Sequence, residues 1–270
     1  MTLAALRGHS ANLVGVPTGL LASVAFNDHP LRLHIRGVRE SHAELFDRLA
    51  TAGSHVAAGE IFQDYMDQTF DLGQPHADPG NAVPRRYRTS YLRLLSGWGY
   101  DASSREGAVV KGWVESRFGL FPTFHKTPLT RFASPTWARY VEDKLSSRFH
   151  NNAIHTQLDL LYEFCQWALA RLRAGQRHLT LYRGVNDFRE IVLLDRALPH
   201  KGPALVRLNN INSFTASRDI AGEFGDHILE ARVPTVKILF FNDLLPRHAL
   251  KSEAEYLVIG GDYRVAVSNF

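Results

Sequence analysis

Cysteine is nearly absent from this sequence. Cys165 is the one cysteine among 270 residues, which excludes an intramolecular disulfide and any zinc site built on several cysteines. Long hydrophobic runs are missing as well: no stretch of eighteen apolar residues occurs, so the sequence predicts no membrane-spanning helix. The apolar stretch over residues 11–26 is interrupted by Asn12, Gly15 and Pro17, which is poor composition for a signal peptide. We therefore expect a cytoplasmic protein.

An excess of charge of one sign is also lacking. Lys and Arg number 31 against 27 Asp and Glu, which gives a net charge of +4. This surplus is too small to indicate nucleic-acid binding, although it favours encounter with an acidic partner.

Several common catalytic signatures do not occur. The sequence has no Walker loop, no complete GxGxxG, no HExxH, no GxSxG and no EF-hand loop. Its 13 histidines show no spacing typical of metal ligands, so we expect no metal. Cys165 falls on the inward stripe of a predicted helix, and we interpret it as a small core residue rather than a nucleophile.

Helical patterns dominate up to about residue 175. The capping-box spacing of Ser41-His42-Ala43-Glu44 predicts a helix that begins at Ser41. Ser134-Pro135 places an N-cap residue before a proline at the first helical position. A further amphipathic pattern predicts a helix that begins at Thr156 and stops at Gly175. Its predicted inward residues are Leu158, Leu161, Tyr162, Cys165, Leu169 and Leu172.

After Gly175 the pattern changes to short β-rich runs, which cover residues 179–185, 204–213, 228–241, 256–259 and 263–267. Gly260-Gly261-Asp262 predicts a hairpin between the last two runs. The fold class is therefore predicted to be α+β, with a helical N-terminal lobe over about 1–175 packed on a mostly antiparallel β core over about 176–270. No linker rich in Ser, Pro or charge divides the two parts, so we expect a single domain over residues 1–270.

A basic cluster lies at the end of a predicted loop. It consists of Arg85, Arg86, Arg88 and Arg93 with Tyr87 and Tyr91 between them. Two interpretations stay open, namely contact with phosphate or an acidic protein, and a solvated helix face with buried tyrosines.

Two segments of the β-rich part carry polar groups that suit an anionic ligand. Tyr182-Arg183-Gly184 ends an apolar strand, where an arginine can hold a phosphate or carboxylate through two hydrogen bonds and a glycine allows close approach. The hydroxyls between Asn212 and Ser217 are suited either to bonding a sugar or to capping the helix that contains Ala221 and Phe224. For Ser217 both roles stay open.

A pair of carboxylates, Glu253 and Glu255, precedes the run from Tyr256 to Ile259. With Ser252 the pair fits a capping box, but the β-branched run that follows favours a strand. In a strand, residues two apart share one face with Cα atoms about 6.6 Å apart. One carboxylate can then stabilise a cationic transition state while the other handles an incoming nucleophile.

These motifs together resemble a known signature. Arg183 in a Tyr-Arg-Gly strand, Ser213 in a Ser-Phe-Thr-Ala-Ser segment and Glu253-Ala254-Glu255 before a late strand resemble, in order and spacing, the Arg-Ser-Glu signature of mono-ADP-ribosyltransferases. The whole chain resembles one family among these, the dinitrogenase reductase ADP-ribosyltransferases of nitrogen-fixing bacteria. That closer resemblance is carried near the N-terminus by residues 12–15, 19–23 and 25–30.

The resemblance implies a β core of the ADP-ribosyltransferase type and NAD as the donor of ADP-ribose. Arg183 would bind the NAD phosphate, and the backbone of Gly184 would meet the nicotinamide carboxamide. Ser213 would hold the nicotinamide-side ribose and help to orient Glu255. Glu255 would bond the ribose hydroxyls and favour an oxocarbenium-like state, while Glu253 would engage an acceptor arginine.

Tyr182 and Phe224 complete the predicted NAD-binding set. The usual Ser-Thr-Ser of the signature is Ser213-Phe214-Thr215 here, so the hydroxyl of the middle residue is missing.

The acceptor arginine also needs a carboxylate. Because a guanidinium is protonated at neutral pH and is a poor nucleophile, a nearby carboxylate must orient it and accept its proton.

The resulting hypothesis is an NAD-dependent protein-arginine ADP-ribosyltransferase that inactivates dinitrogenase reductase, the iron protein of nitrogenase. The resemblance also implies control by a nitrogen-regulatory PII-type signalling protein, with no nucleic-acid partner. Two alternatives stay open: an NAD glycohydrolase or a transferase acting on another protein, and a non-catalytic regulator-binding module.

Overall fold

The computed structural model describes residues 8–72, 89–146, 149, 153–195, 202–247 and 256–269. Within these ranges the chain forms ten α-helices and eight β-strands. The helices are α1 Thr18–Leu21, α2 Val24–Asp28, α3 Val38–Ser41, α4 Ala43–Ala50, α5 His55–Phe70, α6 Tyr91–Tyr100, α7 Arg105–Phe118, α8 Pro135–Lys144, α9 Ile154–Leu172 and α10 Arg218–Gly222. The strands are β1 Phe124–His125, β2 Thr127–Pro128, β3 His178–Val185, β4 Val192–Leu193, β5 Gly202–Phe214, β6 His227–Pro234, β7 Ile238–Phe241 and β8 Tyr256–Asn269.

Serine side chains start several of the helices. Ser134 accepts a hydrogen bond from the Trp137 N–H, with Pro135 at the start of α8, and this predicted cap is confirmed. The predicted helix start at Ser41 is wrong, because Ser41 is the last residue of α3. The chain leaves the helical conformation at His42 instead, and α4 begins at Ala43.

The longest helix, α9, lies where the sequence predicts it. It begins two residues before Thr156, at Ile154, and the predicted inward residues Leu158, Leu161 and Cys165 are fully buried. Cys165 is therefore a core residue. The inward position predicted for Leu172 is wrong, since this last residue of the helix is 46% exposed.

The main sheet has six antiparallel strands in the order β3-β6-β8-β5-β4, with β7 also paired to β8. The α+β class with a mostly antiparallel core is thereby confirmed. β8 contacts three strands, and its first residue, Tyr256, pairs with Phe214 of β5 and Phe241 of β7. The start of β8 is thus fixed from two sides.

The hairpin predicted at Gly260-Gly261-Asp262 is wrong, because β8 runs through these residues without turning. The glycines serve a close backbone approach instead. A Cβ on Gly260 would lie 1.7 Å from the carbonyl oxygen of Asn209, at the point where β5 shifts its register. Asp262 pairs with Arg207 of β5 at 2.6 Å, which holds the two strands together just past the shift.

One hydrophobic cluster contains side chains of the helices, such as Phe62 and Trp113, together with side chains of the sheet, such as Val206 and Leu257. The description of the chain as a single domain stays a prediction. Within the described ranges, no helix has both the length and the apolar character needed to cross a membrane.

Candidate active site

Two strands that are not neighbours in the sheet meet at the candidate site. The Tyr182 N–H donates to the Thr215 carbonyl and the Thr215 N–H donates to the Tyr182 carbonyl, both at 2.8 Å. This bridge draws the end of β3 toward the end of β5. Beside it lies a cavity of about 550 Å³. Five of the seven predicted site residues line this cavity, namely Tyr182, Arg183, Gly184, Ser213 and Phe224.

Arg183 is anchored on one side and available on the other. Its Nη1 donates to the backbone carbonyl of Ser213 at 3.0 Å, which fixes the guanidinium against β5. Its Nη2 donates to the Glu190 carboxylate at 2.9 Å. Glu190 is 47% exposed whereas Arg183 is only 19% exposed. A half-exposed carboxylate therefore occupies a position that a ligand anion could take instead.

Gly184 has a packing role that the sequence did not reveal. A Cβ at this position would lie 1.9 Å from the carbonyl oxygen of Ala221 in α10. Only glycine lets β3 lie this close to α10. Ala221 of α10 forms part of the cavity wall, so Gly184 helps to place that wall. Approach of a ligand to its backbone stays a prediction.

Ser213 receives a hydrogen bond from a residue that sequence reasoning missed. Trp98 Nε1, on α6 of the helical lobe, donates to Ser213 Oγ at 2.9 Å. An indole N–H is only a donor, so Ser213 Oγ is the acceptor and its own hydrogen stays available for another acceptor. Trp98 is 4% exposed and also lines the cavity. The glycines on either side of it, Gly97 and Gly99, are the one local signal that could have indicated it.

A buried lysine lies next to Trp98. Lys111 is 1% exposed, and its Nζ is 5.7 Å from the Trp98 ring centroid. Burial lowers the pKa of Lys111 to about 7. Burial, followed by the Lys111 charge, lowers the pKa of His125 to about 4.

His125 is accordingly neutral at pH 7. Its Nε2 donates to the Asp143 carboxylate at 3.1 Å, which leaves Nδ1 to accept from Lys111 Nζ at 3.4 Å. Asp143 is therefore connected through His125 and Lys111 to Trp98, whose ring Lys111 contacts and whose N–H donates to Ser213.

Ser217 caps α10, because its Oγ accepts the Ile220 N–H. This confirms the capping interpretation for Ser217. Phe224 lies just after α10 and is 39% exposed at the edge of the cavity.

The two predicted carboxylates, Glu253 and Glu255, lie outside the described residues. In the sequence they come directly before Tyr256, whose strand partner Phe214 lines the cavity. Their roles stay predictions.

Most of the basic cluster also lies outside the described residues, namely Arg85, Arg86, Arg88 and Tyr87. Of the other two members, Arg93 approaches Glu106 at 3.7 Å and Tyr91 is buried. The described residues contain no group of three or more His, Cys, Asp or Glu placed to hold a metal ion.

Comparison with known proteins gives one family over nearly the whole chain. A family model described as dinitrogenase reductase ADP-ribosyltransferase matches residues 11–267. The chain is 57% identical over 265 residues to a Rhodospirillum rubrum protein named NAD(+)--dinitrogen-reductase ADP-D-ribosyltransferase, with 97% of this chain and 95% of the relative covered. No solved structure matches the chain significantly.

Proposed function

Because the chain belongs to the dinitrogenase reductase ADP-ribosyltransferase family, we propose that it transfers ADP-ribose from NAD to an arginine of dinitrogenase reductase and so inactivates that protein. The observation that carries this proposal is the cavity at the Tyr182–Thr215 bridge, where Arg183 and Ser213 converge from separate strands. These are two of the three elements of the Arg-Ser-Glu signature.

NAD binding is supported by the charge and shape of that cavity. Arg183 is its half-buried cation, and Tyr182 and Phe224 supply aromatic surface. A phosphate oxygen of NAD takes the position of the Glu190 carboxylate at Nη2, while the bond from Nη1 to Ser213 keeps the guanidinium in place. Ser213 Oγ, which already accepts from Trp98, turns its hydrogen toward the ribose or Glu255.

The reaction breaks the C–N bond between ribose and nicotinamide, and nicotinamide leaves with the electron pair. Positive charge develops on the ribose, where Glu255 stabilises it. A nitrogen of the acceptor guanidinium then bonds to the ribose C1 and loses a proton to Glu253. The products are ADP-ribosylarginine, nicotinamide and one proton.

The test separates the two carboxylates. Two activities are measured for each variant: labelled ADP-ribose on purified dinitrogenase reductase, and nicotinamide released from NAD without acceptor. Glu255→Gln is expected to lose both activities while NAD binding survives, because loss of the charge acts on the common transition state. Glu253→Gln is expected to lose transfer by about a hundredfold or more, yet to retain slow nicotinamide release, because water attacks without that base.

Near-normal turnover of Glu255→Gln would overturn the assignment of this residue. Equal loss of both activities in Glu253→Gln would show that the carboxylates act as one unit. Equal retention would show that Glu253 is a helix-capping or surface residue.

The alternatives predict different results in the same assay. A glycohydrolase releases nicotinamide but labels no protein, and a transferase with another acceptor labels a different polypeptide in an extract of a nitrogen-fixing bacterium. A regulator-binding module turns over no NAD. Control by a PII-type protein and the cytoplasmic location stay predictions.

A further inference from the structure

A second cavity, of about 840 Å³, borders the same bridge. The candidate active site is lined by β3 residues from Tyr182 onward, whereas the second cavity is lined by β3 residues from His178 to Leu181. Ala216, next to Thr215, and Tyr256, the first residue of β8, also line it. The second cavity therefore lies next to the place where β8 begins, directly after the predicted carboxylate pair in the sequence.

Arginine gives this cavity its character. Arg173, Arg177 and Arg232 line it, all with exposed side chains. Asp28 is the one carboxylate among the described residues that line it, and it is paired with Arg264. Within the described part of the chain, none of the three arginines forms an ion pair with a carboxylate, so the cavity is strongly cationic.

The hydrogen bonds of two of these arginines leave their charge uncompensated. Arg177 Nη2 donates to the backbone carbonyl of Pro30 at 2.5 Å. Arg232 Nη2 donates to His178 Nδ1 at 3.1 Å. His178 Nε2 donates to the Asn27 carbonyl at 2.7 Å. Because an arginine N–H can only donate, Nδ1 of the same ring offers Arg232 a lone pair and no negative charge.

We propose that this arginine cavity binds an acidic segment of the acceptor protein and holds it beside the reaction centre; the inference rests on the proposed function. A planar guanidinium can form two parallel hydrogen bonds to one carboxylate. The present partners of Arg177 and Arg232, a backbone carbonyl and an imidazole, each accept only one and carry no negative charge. The net charge of +4 gives little attraction over the whole surface, so charge-directed docking requires a local concentration of cations such as this one. When the acceptor arginine lies at the start of β8, the acceptor residues next to that arginine lie over this cavity, because Tyr256 lines it.

The test reverses the charge of the cavity without touching the NAD site. The double variant Arg173→Glu/Arg232→Glu is compared with Arg139→Glu, an exposed arginine of α8 that lines neither cavity. Three activities are measured: transfer to dinitrogenase reductase at increasing acceptor concentration, transfer to free arginine methyl ester, and nicotinamide release without acceptor. Thermal melting first establishes that each variant is folded, and Arg173→Gln/Arg232→Gln provides a milder change of the same sign.

For the double charge reversal we expect the KM for the protein acceptor to rise about tenfold or more, with the other two activities within about twofold of the parent. The glutamine pair is expected to show a smaller rise, and Arg139→Glu no rise. Poly-L-glutamate is expected to inhibit transfer to the protein by the parent but not transfer to arginine methyl ester.

An unchanged KM for the protein acceptor in the double variant would overturn the inference. A raised KM for NAD in the hydrolysis assay would also overturn it, because the cavity would then serve the nucleotide. Failure of the proposed function is distinguishable from both, since the parent protein itself would then not label dinitrogenase reductase.

Discussion

The hydrogen bond from Trp98 to Ser213 allows a direct test of how the helical lobe supports the reaction. Trp98→Phe keeps an aromatic ring against the cavity but removes the N–H that donates to Ser213 Oγ. Without this donor the Ser213 hydroxyl is no longer held in one orientation, and its hydrogen points less often toward the ribose or Glu255. We expect NAD binding to change little and the rate of nicotinamide release to fall.

The size of the effect follows from one hydrogen bond. A net contribution of about 1 kcal/mol, with a range of about 0.5–1.5, corresponds to a loss of roughly twofold to tenfold in kcat. The substitution also removes buried volume, because Trp98 is 4% exposed, so we expect a drop in stability of about 1–2 kcal/mol. Trp167→Phe is the matched control, since Trp167 stacks on Phe164 of the same helix and does not line the cavity.

The assay is nicotinamide release for Trp98→Phe, Ser213→Ala and the double variant. If Trp98 acts through Ser213, the double variant is no slower than Ser213→Ala, whereas independent roles multiply the two losses. Multiplied losses, or an equal loss in Trp167→Phe, would refute the reasoning.

Two further predictions concern charges. Glu190→Gln removes the carboxylate that occupies Arg183 Nη2. Because such partly exposed ion pairs contribute about 0–1 kcal/mol, we expect the KM for NAD to fall by up to about fivefold. A rise in this KM would show that Glu190 helps to hold NAD. Lys237 is fully buried, and burial lowers its pKa from 10.5 to about 7. The unfolded chain therefore binds more protons than the folded one between these values, so the free energy of unfolding should rise with pH, by up to about 1.4 kcal/mol per unit for this group. Urea titrations at pH 7, 8 and 9 check this, and a slope that Lys237→Met leaves unchanged would contradict it.

Local sequence patterns predicted the helices and strands better than the contacts between residues that are distant in the sequence. The β-rich runs after Gly175 became strands and Ser134-Pro135 became a helix start, because alternation and capping act within a few residues. The boundaries were less accurate: the run 228–241 is divided into β6 and β7 by a short 3-10 helix, and the runs 256–259 and 263–267 form the single strand β8. Gly260-Gly261-Asp262 failed as a hairpin because its geometry is decided by Asn209, which is distant in the sequence.

The site shows the same division. Arg183 and Ser213 were identifiable because they end strands with polar groups, and both line the cavity. Trp98 reaches Ser213 only through the packing of α6 on the sheet, and a helical tryptophan is ordinarily a core residue. Lys111 was missed for a related reason: its Nζ contacts His125 of β1, and the sequence of α7 does not reveal this contact.

The central position of β8 has a consequence for how the chain folds. It pairs with β5, β6 and β7, all of which come earlier in the sequence; Gly202 pairs with Val267 and His227 pairs with Asn269. During synthesis these three strands therefore leave the ribosome with unpaired backbone edges, and their pairing requires contacts between distant residues, which form slowly. Because Phe214 in the cavity wall is itself paired with Tyr256, we expect the nascent protein to complete the cavity of the candidate active site only in the final stage of folding.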